Sequence, residues 1–155
     1  MTEHTEHLTR AVELAALARE HGNDPFGALL VTAQGRIVEA ENTVVTGSDP
    51  TGHAETNLVR LAAAQLSAEQ LADATLYTST EPCAMCCGAI FWGGIPRVVY
   101  ALAEAELNAM LPTSSIGLVL DLPSREIFVR GGRPTEVIGP IQTPGAREVH
   151  AGYWN

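Results

Sequence analysis

Thr75-Leu76-Tyr77-Thr78-Ser79-Thr80-Glu81-Pro82-Cys83-Ala84-Met85-Cys86-Cys87-Gly88-Ala89-Ile90-Phe91 changes character at its midpoint, and that change decides the fold. The first six residues, rich in Thr, Leu and Tyr, suit a short strand. Pro82 then stands where a helix opens, because its missing N–H is one that a first helical turn leaves unbonded anyway. The spacing predicts a helix over 83–91, closed by Gly93-Gly94, and a further buried strand over 98–101.

Upstream of that unit, Leu8, Ala11, Val12, Ala15, Ala16 and Ala18 fall at helical spacing, which predicts a helix over 8–21 stopped at Gly22. Asn23-Asp24-Pro25 is turn chemistry. Residues 27–32 and 36–45 read as two strands joined by Ala33-Gln34-Gly35, a hairpin. A Gly/Ser/Asp/Pro loop over 46–52 leads to a predicted helix over 53–66, with Leu58, Leu61, Ala62 and Gln65 at i, i+3, i+4 and i+7. Downstream, Ala, Leu and Glu favour a short helix over 103–110. The 112–123 stretch is open, with 116–120 read as either a strand or a packed loop. Strands are expected over 126–130 and 136–138 around Gly131-Gly132, and a closing helix over 143–152 ahead of Tyr153-Trp154. The expected fold is α/β: a mixed sheet of about five strands with helices on both faces.

The 155 residues fit a single domain spanning 1–155. At 46% hydrophobic residues, the composition is that of an ordinary globular protein. No run approaches the ~20 apolar residues of a membrane span. The first seven residues are polar and acidic, so no secretory leader is expected and the cytoplasm is the expected location. Formal charge is -9, and all nine basic residues are Arg. Phosphate neutralisation supplies much of nucleic-acid affinity, so a nucleic-acid partner is not expected.

Cys83, Cys86 and Cys87 lie within five residues. So close a cluster suits metal or redox chemistry better than structural disulfides. Cys83 and Cys86 stand one helical turn apart, so both sulfurs face one way. A helix start also favours thiolates. His53 at the start of the preceding helix would complete a His-Cys-Cys set. Three protein ligands on Zn²⁺ leave a fourth position for water, the mark of a catalytic site. Glu55, two residues on, is placed to move that water's proton without ligating the metal. An H-x-E followed by P-C-x-x-C is the signature of zinc deaminases. The competing readings of a lone C-x-x-C are a structural zinc knuckle and a thioredoxin-like redox pair. A second Cys pair is absent, and the H-x-E would then be coincidence. Cys87 is read as a small buried side chain, and His4, His7, His21 and His150 as surface residues.

These residues resemble the cytidine deaminase superfamily, most closely the subgroup with guanine deaminase, tRNA adenosine deaminase and fungal-type cytosine deaminase. The resemblance runs from Pro25 to Ala101. It rests on Pro25-Phe26-Gly27-Ala28, Glu41-Asn42, Asp49-Pro50-Thr51-Gly52-His53-Ala54-Glu55 and the stretch from Leu76 to Ile90. It implies a three-layer α/β/α sandwich around a five-stranded sheet, one zinc per subunit and a homodimer. Pro25-Phe26-Gly27 and Ile90-Phe91-Trp92 are similar to the guanine deaminase forms, in which an aromatic packs on the substrate ring. Position alone reads Phe26 and Trp92 equally well as core packing. The resemblance makes Asn42 a reader of the base edge, puts an Ala54 backbone group at the pocket floor, and has Trp154 capping the pocket or reaching across the dimer. Terminal anchoring is the equal alternative for Trp154.

The resemblance implies a small-molecule substrate: a free base such as guanine or another purine, an isocytosine-like ring or an amino-triazine. A nucleoside or tRNA substrate is the second reading, and a binding module with structural zinc the third. The tail departs from the pattern. Guanine deaminases of bacteria carry an Asp after the last core strand, and residues 104–115 here have no clear equivalent. Glu104, Glu106 and Asn108 are the polar residues available.

Overall fold

In the computed structural model, which describes residues 2–155, the elements are α1 (Glu3–Glu20), β1 (Gly27–Val31), β2 (Ile37–Glu41), α2 (Ala54–Gln65), α3 (Ala68–Ala72), β3 (Thr75–Thr80), α4 (Ala84–Trp92), β4 (Arg97–Leu102), α5 (Glu104–Met110), α6 (Ser124–Phe128) and β5 (Glu136–Ile138). The sheet runs β2-β1-β3-β4-β5. β1 pairs antiparallel with β2 and β3, whereas β3–β4 and β4–β5 are parallel. The expected mixed five-stranded sheet is present.

Strand periodicity sorts the core into two layers. Leu29, Tyr77 and Val99 stand in register across β1, β3 and β4. They pack on Leu8, Ala11, Val12 and Leu14 of α1 and Leu107 of α5. One position along, Leu30, Leu76 and Val98 face the opposite way and meet Leu58 and Ala62 of α2, Cys87 and Ile90 of α4, and Phe128 of α6. Helices on both faces make the three-layer α/β/α sandwich. Each buried Leu or Val contributes about 1.5–3 kcal/mol. α1 lies so close to β1 that a Cβ on Gly27 would stand 2.5 Å from the Ala11 carbonyl oxygen, so no side chain fits there.

The structure corrects several expectations. Residues 126–130 do not form a strand; they belong largely to α6, whose Phe128 enters the core beneath α4. A short apolar run is ambiguous between strand and helix until its packing is known. The closing helix over 143–152 is replaced by turns and a single 3-10 turn, Glu148–His150, because Pro144 and Gly145, the latter at φ +86°, break its start. The open stretch contains a 3-10 helix, Thr113–Leu118. α3 was not expected, although Ser67 and Gln70 form a capping box around its first turn. His150 is buried, not on the surface. The Trp154 indole N–H donates to its Nδ1 at 3.1 Å, and Phe26 packs against its ring. No described helix is long and apolar enough to cross a membrane.

Candidate active site

The carboxyl ends of the parallel strands β3 and β4 open onto one cavity, the position where α/β sheets commonly bind ligands. His53 and Cys83 are the N-caps of α2 and α4, so each helix begins one residue later than the sequence pattern placed it. Neither side chain caps its own helix; both turn to a shared point instead. Cys86 reaches that point from the first turn of α4. His53 Nδ1 lies 3.6 Å from Cys83 Sγ and 3.5 Å from Cys86 Sγ. Tetrahedral zinc with ordinary Zn–N and Zn–S bonds requires a nitrogen-to-sulfur spacing of about 3.6 Å. The donor set fits the ion, and three donors leave one position open.

The loop carrying His53 is fastened from α2. The Asn57 amide donates to the Glu41 carbonyl and Thr43 Oγ1, each at 2.9 Å, and to the Gly52 carbonyl at 3.3 Å. The Thr43 N–H donates to the same Gly52 carbonyl at 2.8 Å. This lattice fixes the backbone that leads into His53.

Glu55 is 5% exposed, and burial raises its pKa, opposed by the Thr78 hydroxyl. That hydroxyl has one proton and two acceptors in reach: Glu55 Oε1 at 2.5 Å and the Thr80 carbonyl at 3.0 Å. It donates to Glu55 when the carboxylate is ionised. The Cys86 thiol brings Cys83 down to about 4, with His53 also contributing, and the same contact with Cys83 pushes Cys86 up. Cys87 is buried and its thiol donates to the Pro82 carbonyl, the structural part expected of it.

The cavity measures about 400 Å³ and is walled by His53, Glu55 and Cys83, by Phe26 and Trp154, and by Glu104, Leu107, Asn108 and Leu111. Of the residues expected to meet substrate, Phe26 and Trp154 therefore line it, with ring centroids 6.0 Å apart. Asn42 and Ala54 are fully buried and are not part of its wall. Asn42 Oδ1 accepts from the Val44 N–H at 3.0 Å, the local turn such a residue makes. Trp92 does not line the cavity. It is 84% exposed at the end of α4, because the helical turn that directs Cys86, Cys87 and Ile90 inward carries it outward.

Sequence reasoning missed Thr78 and Glu81. Thr78 carried a readable signal: with Leu76 it shares the strand face that packs on α2 and α4, where a polar residue needs a partner. Glu81 Oε1 accepts from the Glu104 N–H at 3.0 Å, and Oε2 from the Ser124 N–H at 2.9 Å and hydroxyl at 2.6 Å. It ties the starts of α5 and α6 to the turn before Cys83, across distances no local pattern reveals.

The family model for the cytidine and deoxycytidylate deaminase zinc-binding region matches residues 1–102. The chain belongs to that deaminase family. The donor cluster coincides with the region the family uses for zinc, and zinc is this deaminase's cofactor. The deaminase is 37% identical over 149 residues to a probable cytosine deaminase of Schizosaccharomyces pombe, covering 96% of this chain and 91% of that one. It is 42% identical over 125 residues to guanine deaminase of Bacillus subtilis, covering 79% and 80%. With a tRNA-specific adenosine deaminase of Haemophilus influenzae it shares 40% over 101 residues, 64% of this chain and 58% of that one. The X-ray structure of the Bacillus subtilis guanine deaminase superposes with a TM-score of 0.65 at 38% identity, covering 89% and 87%.

Proposed function

We propose that this deaminase hydrolyses the exocyclic amino group of a free heterocyclic base, converting amino-heterocycle and water into oxo-heterocycle and ammonia. The observation that carries this reading is the buried Glu55 beside a three-donor metal cluster in a mostly apolar cavity. His53, Cys83 and Cys86 hold the zinc, which when bound acidifies a water in its open position. Glu55 takes one proton from the attacking water and gives it to the ring nitrogen, then carries the second, from the hydroxyl newly bonded to the ring carbon, to the departing amine. Thr78 holds Glu55 Oε1, so the other oxygen is the one that carries the proton. Phe26 and Trp154, packed at a tilt against one another, give a flat ring an aromatic wall, and the apolar lining excludes bulk water.

The preference for a base over a nucleic acid is supported by the charge of -9 and the absence of Lys, and by similarity to proteins named for cytosine and guanine. The similarity to tRNA-specific adenosine deaminases keeps a nucleoside or RNA substrate as the second reading. In this reading Asn42 orders the turn after β2 through the Val44 N–H. A second copy of the chain covers the exposed Trp92 and Val129 as a homodimer, and a reducing cytoplasm keeps the thiols free. The test is ammonia release from purines, pyrimidines and amino-triazines, each base beside its nucleoside. Turnover of a base at more than ten times the rate of its nucleoside supports the reading, and the reverse order contradicts it.

A further inference from the structure

Two polar atoms in the cavity wall have no partner. Thr80 Oγ1, on a residue 3% exposed, and Glu104 Oε2, on one 9% exposed, are buried without a hydrogen bond among the described residues, and both residues line the cavity that holds Glu55. Leaving such groups unpaired costs stability, more for a carboxyl than for a hydroxyl. Their backbones are nonetheless held in place. Glu81 accepts from the Glu104 N–H at 3.0 Å, and Thr80 stands opposite Leu102 in the β3–β4 ladder. The α5 register adds to the arrangement: Glu104, Leu107, Asn108 and Leu111 face the cavity at i, i+3, i+4 and i+7, so one helix face offers two polar groups between two apolar ones.

Resting on the proposed base deamination, we propose that Glu104 and Thr80 are the substrate-contacting pair that sets which base is accepted. In this arrangement Glu104 accepts a hydrogen bond from a ring N–H of the heterocycle, and the Thr80 hydroxyl meets a neighbouring ring acceptor. The site then selects rings that present an N–H beside a carbonyl or ring nitrogen, and it rejects the same ring methylated at that nitrogen. Discrimination through a buried hydrogen-bonding group exceeds what an apolar wall achieves, because the wrong ligand leaves that group unpaired. Burial, with Glu81, Cys83 and Asp121 adding to it, pushes the Glu104 carboxyl up to about 7. Near neutrality it therefore offers a donor as well as an acceptor.

The test compares wild type, Glu104→Gln and Thr80→Val in their zinc-loaded forms. The probes are a panel of amino-heterocycles and their ring-N-methyl analogues, and each protein is read for kcat/KM, for binding by calorimetry and for melting temperature. The expected result is a preference for the N–H ring over its N-methyl analogue that falls at least tenfold in Glu104→Gln and shifts in Thr80→Val. Both variants keep one zinc and melt no lower than wild type, since each loses an unpaired buried group or exchanges it for a neutral one. An unchanged preference, with all rings affected equally or not at all, overturns the pair's role while leaving base deamination standing. Lower melting with an unchanged preference assigns the residues to structure and also overturns it. A wild-type protein that neither turns over nor binds any ring overturns both this proposal and the functional reading beneath it.

Discussion

Glu55 has almost no water around it, one oxygen against a threonine hydroxyl, and a pKa raised by burial. In the proposed role of general base a carboxylate in that setting is strengthened, and the Thr78 hydroxyl orients it. Glu55→Gln is expected to lower kcat by at least ~10²–10⁴ with zinc content unchanged, since the carboxyl is not a ligand. Zinc analysis beside ammonia release checks this. Thr78→Val should lower kcat about tenfold with KM little altered, the loss of roughly one hydrogen bond to a charged group, while Thr78→Ser restores most of the rate. At this scale the metal donors and Glu55 were legible because their residue types and spacing serve little else. Thr78, Thr80 and Glu81 were not, because Thr in a strand and Glu in a turn are ordinary until their partners across the sheet are known.

The C-terminal segment is the element on which the cavity's aromatic wall depends. Arg19 of α1 donates to the Val149 and Ala151 carbonyls, each at 2.8 Å, and the Tyr153 hydroxyl donates to Asp24. His150 lies inside the segment, neutral, with burial and nearby Arg19 depressing its pKa to about 4. Its ordinary pKa is 6.5, so the unfolded chain binds the proton first as pH falls. The stability this group contributes is therefore complete above about pH 6.5 and is lost progressively down to about pH 4, ~3 kcal/mol in all. His150→Phe is expected to flatten the melting temperature over that window, checked by thermal melts at half-unit steps. On the other layer, Gly27→Ala pushes a methyl into the α1 backbone and should cost at least ~1–3 kcal/mol by chemical denaturation. The helices, hairpin and central strands were legible from periodicity. α6 and the C-terminal turns were not, because tertiary packing and a Pro-Gly pair decide them.

Taken whole, the molecule places an acidic, Lys-free surface around a cavity whose polar groups cluster at the metal and on α5. Phe26 and Trp154 enter it from opposite ends of the chain. Removing either ring, as Phe26→Ala or Trp154→Ala, should raise KM about five- to tenfold with a smaller effect on kcat, as expected for lost ring packing in ground and transition states alike. Steady-state kinetics on the best base check it. The three-layer architecture was legible from the order of elements, since strand, helix and strand with caps on both sides leave few alternatives. The cavity's far wall was not, because Glu104 and Asn108 interrupt the apolar stripe of α5 and residues 112–120 carry no period at all.

Everything in this account passes through a zinc ion held by His53, Cys83 and Cys86 with its fourth position free for water. X-ray absorption at the zinc edge of the purified chain, with metal quantified per polypeptide, tests that directly. The account predicts one zinc per chain, two sulfur neighbours at about 2.3 Å and two nitrogen or oxygen neighbours at about 2.0–2.1 Å, reduced to a single sulfur in Cys86→Ser. A shell of three or four sulfurs, or a chain that holds no zinc when purified without chelators, would contradict it.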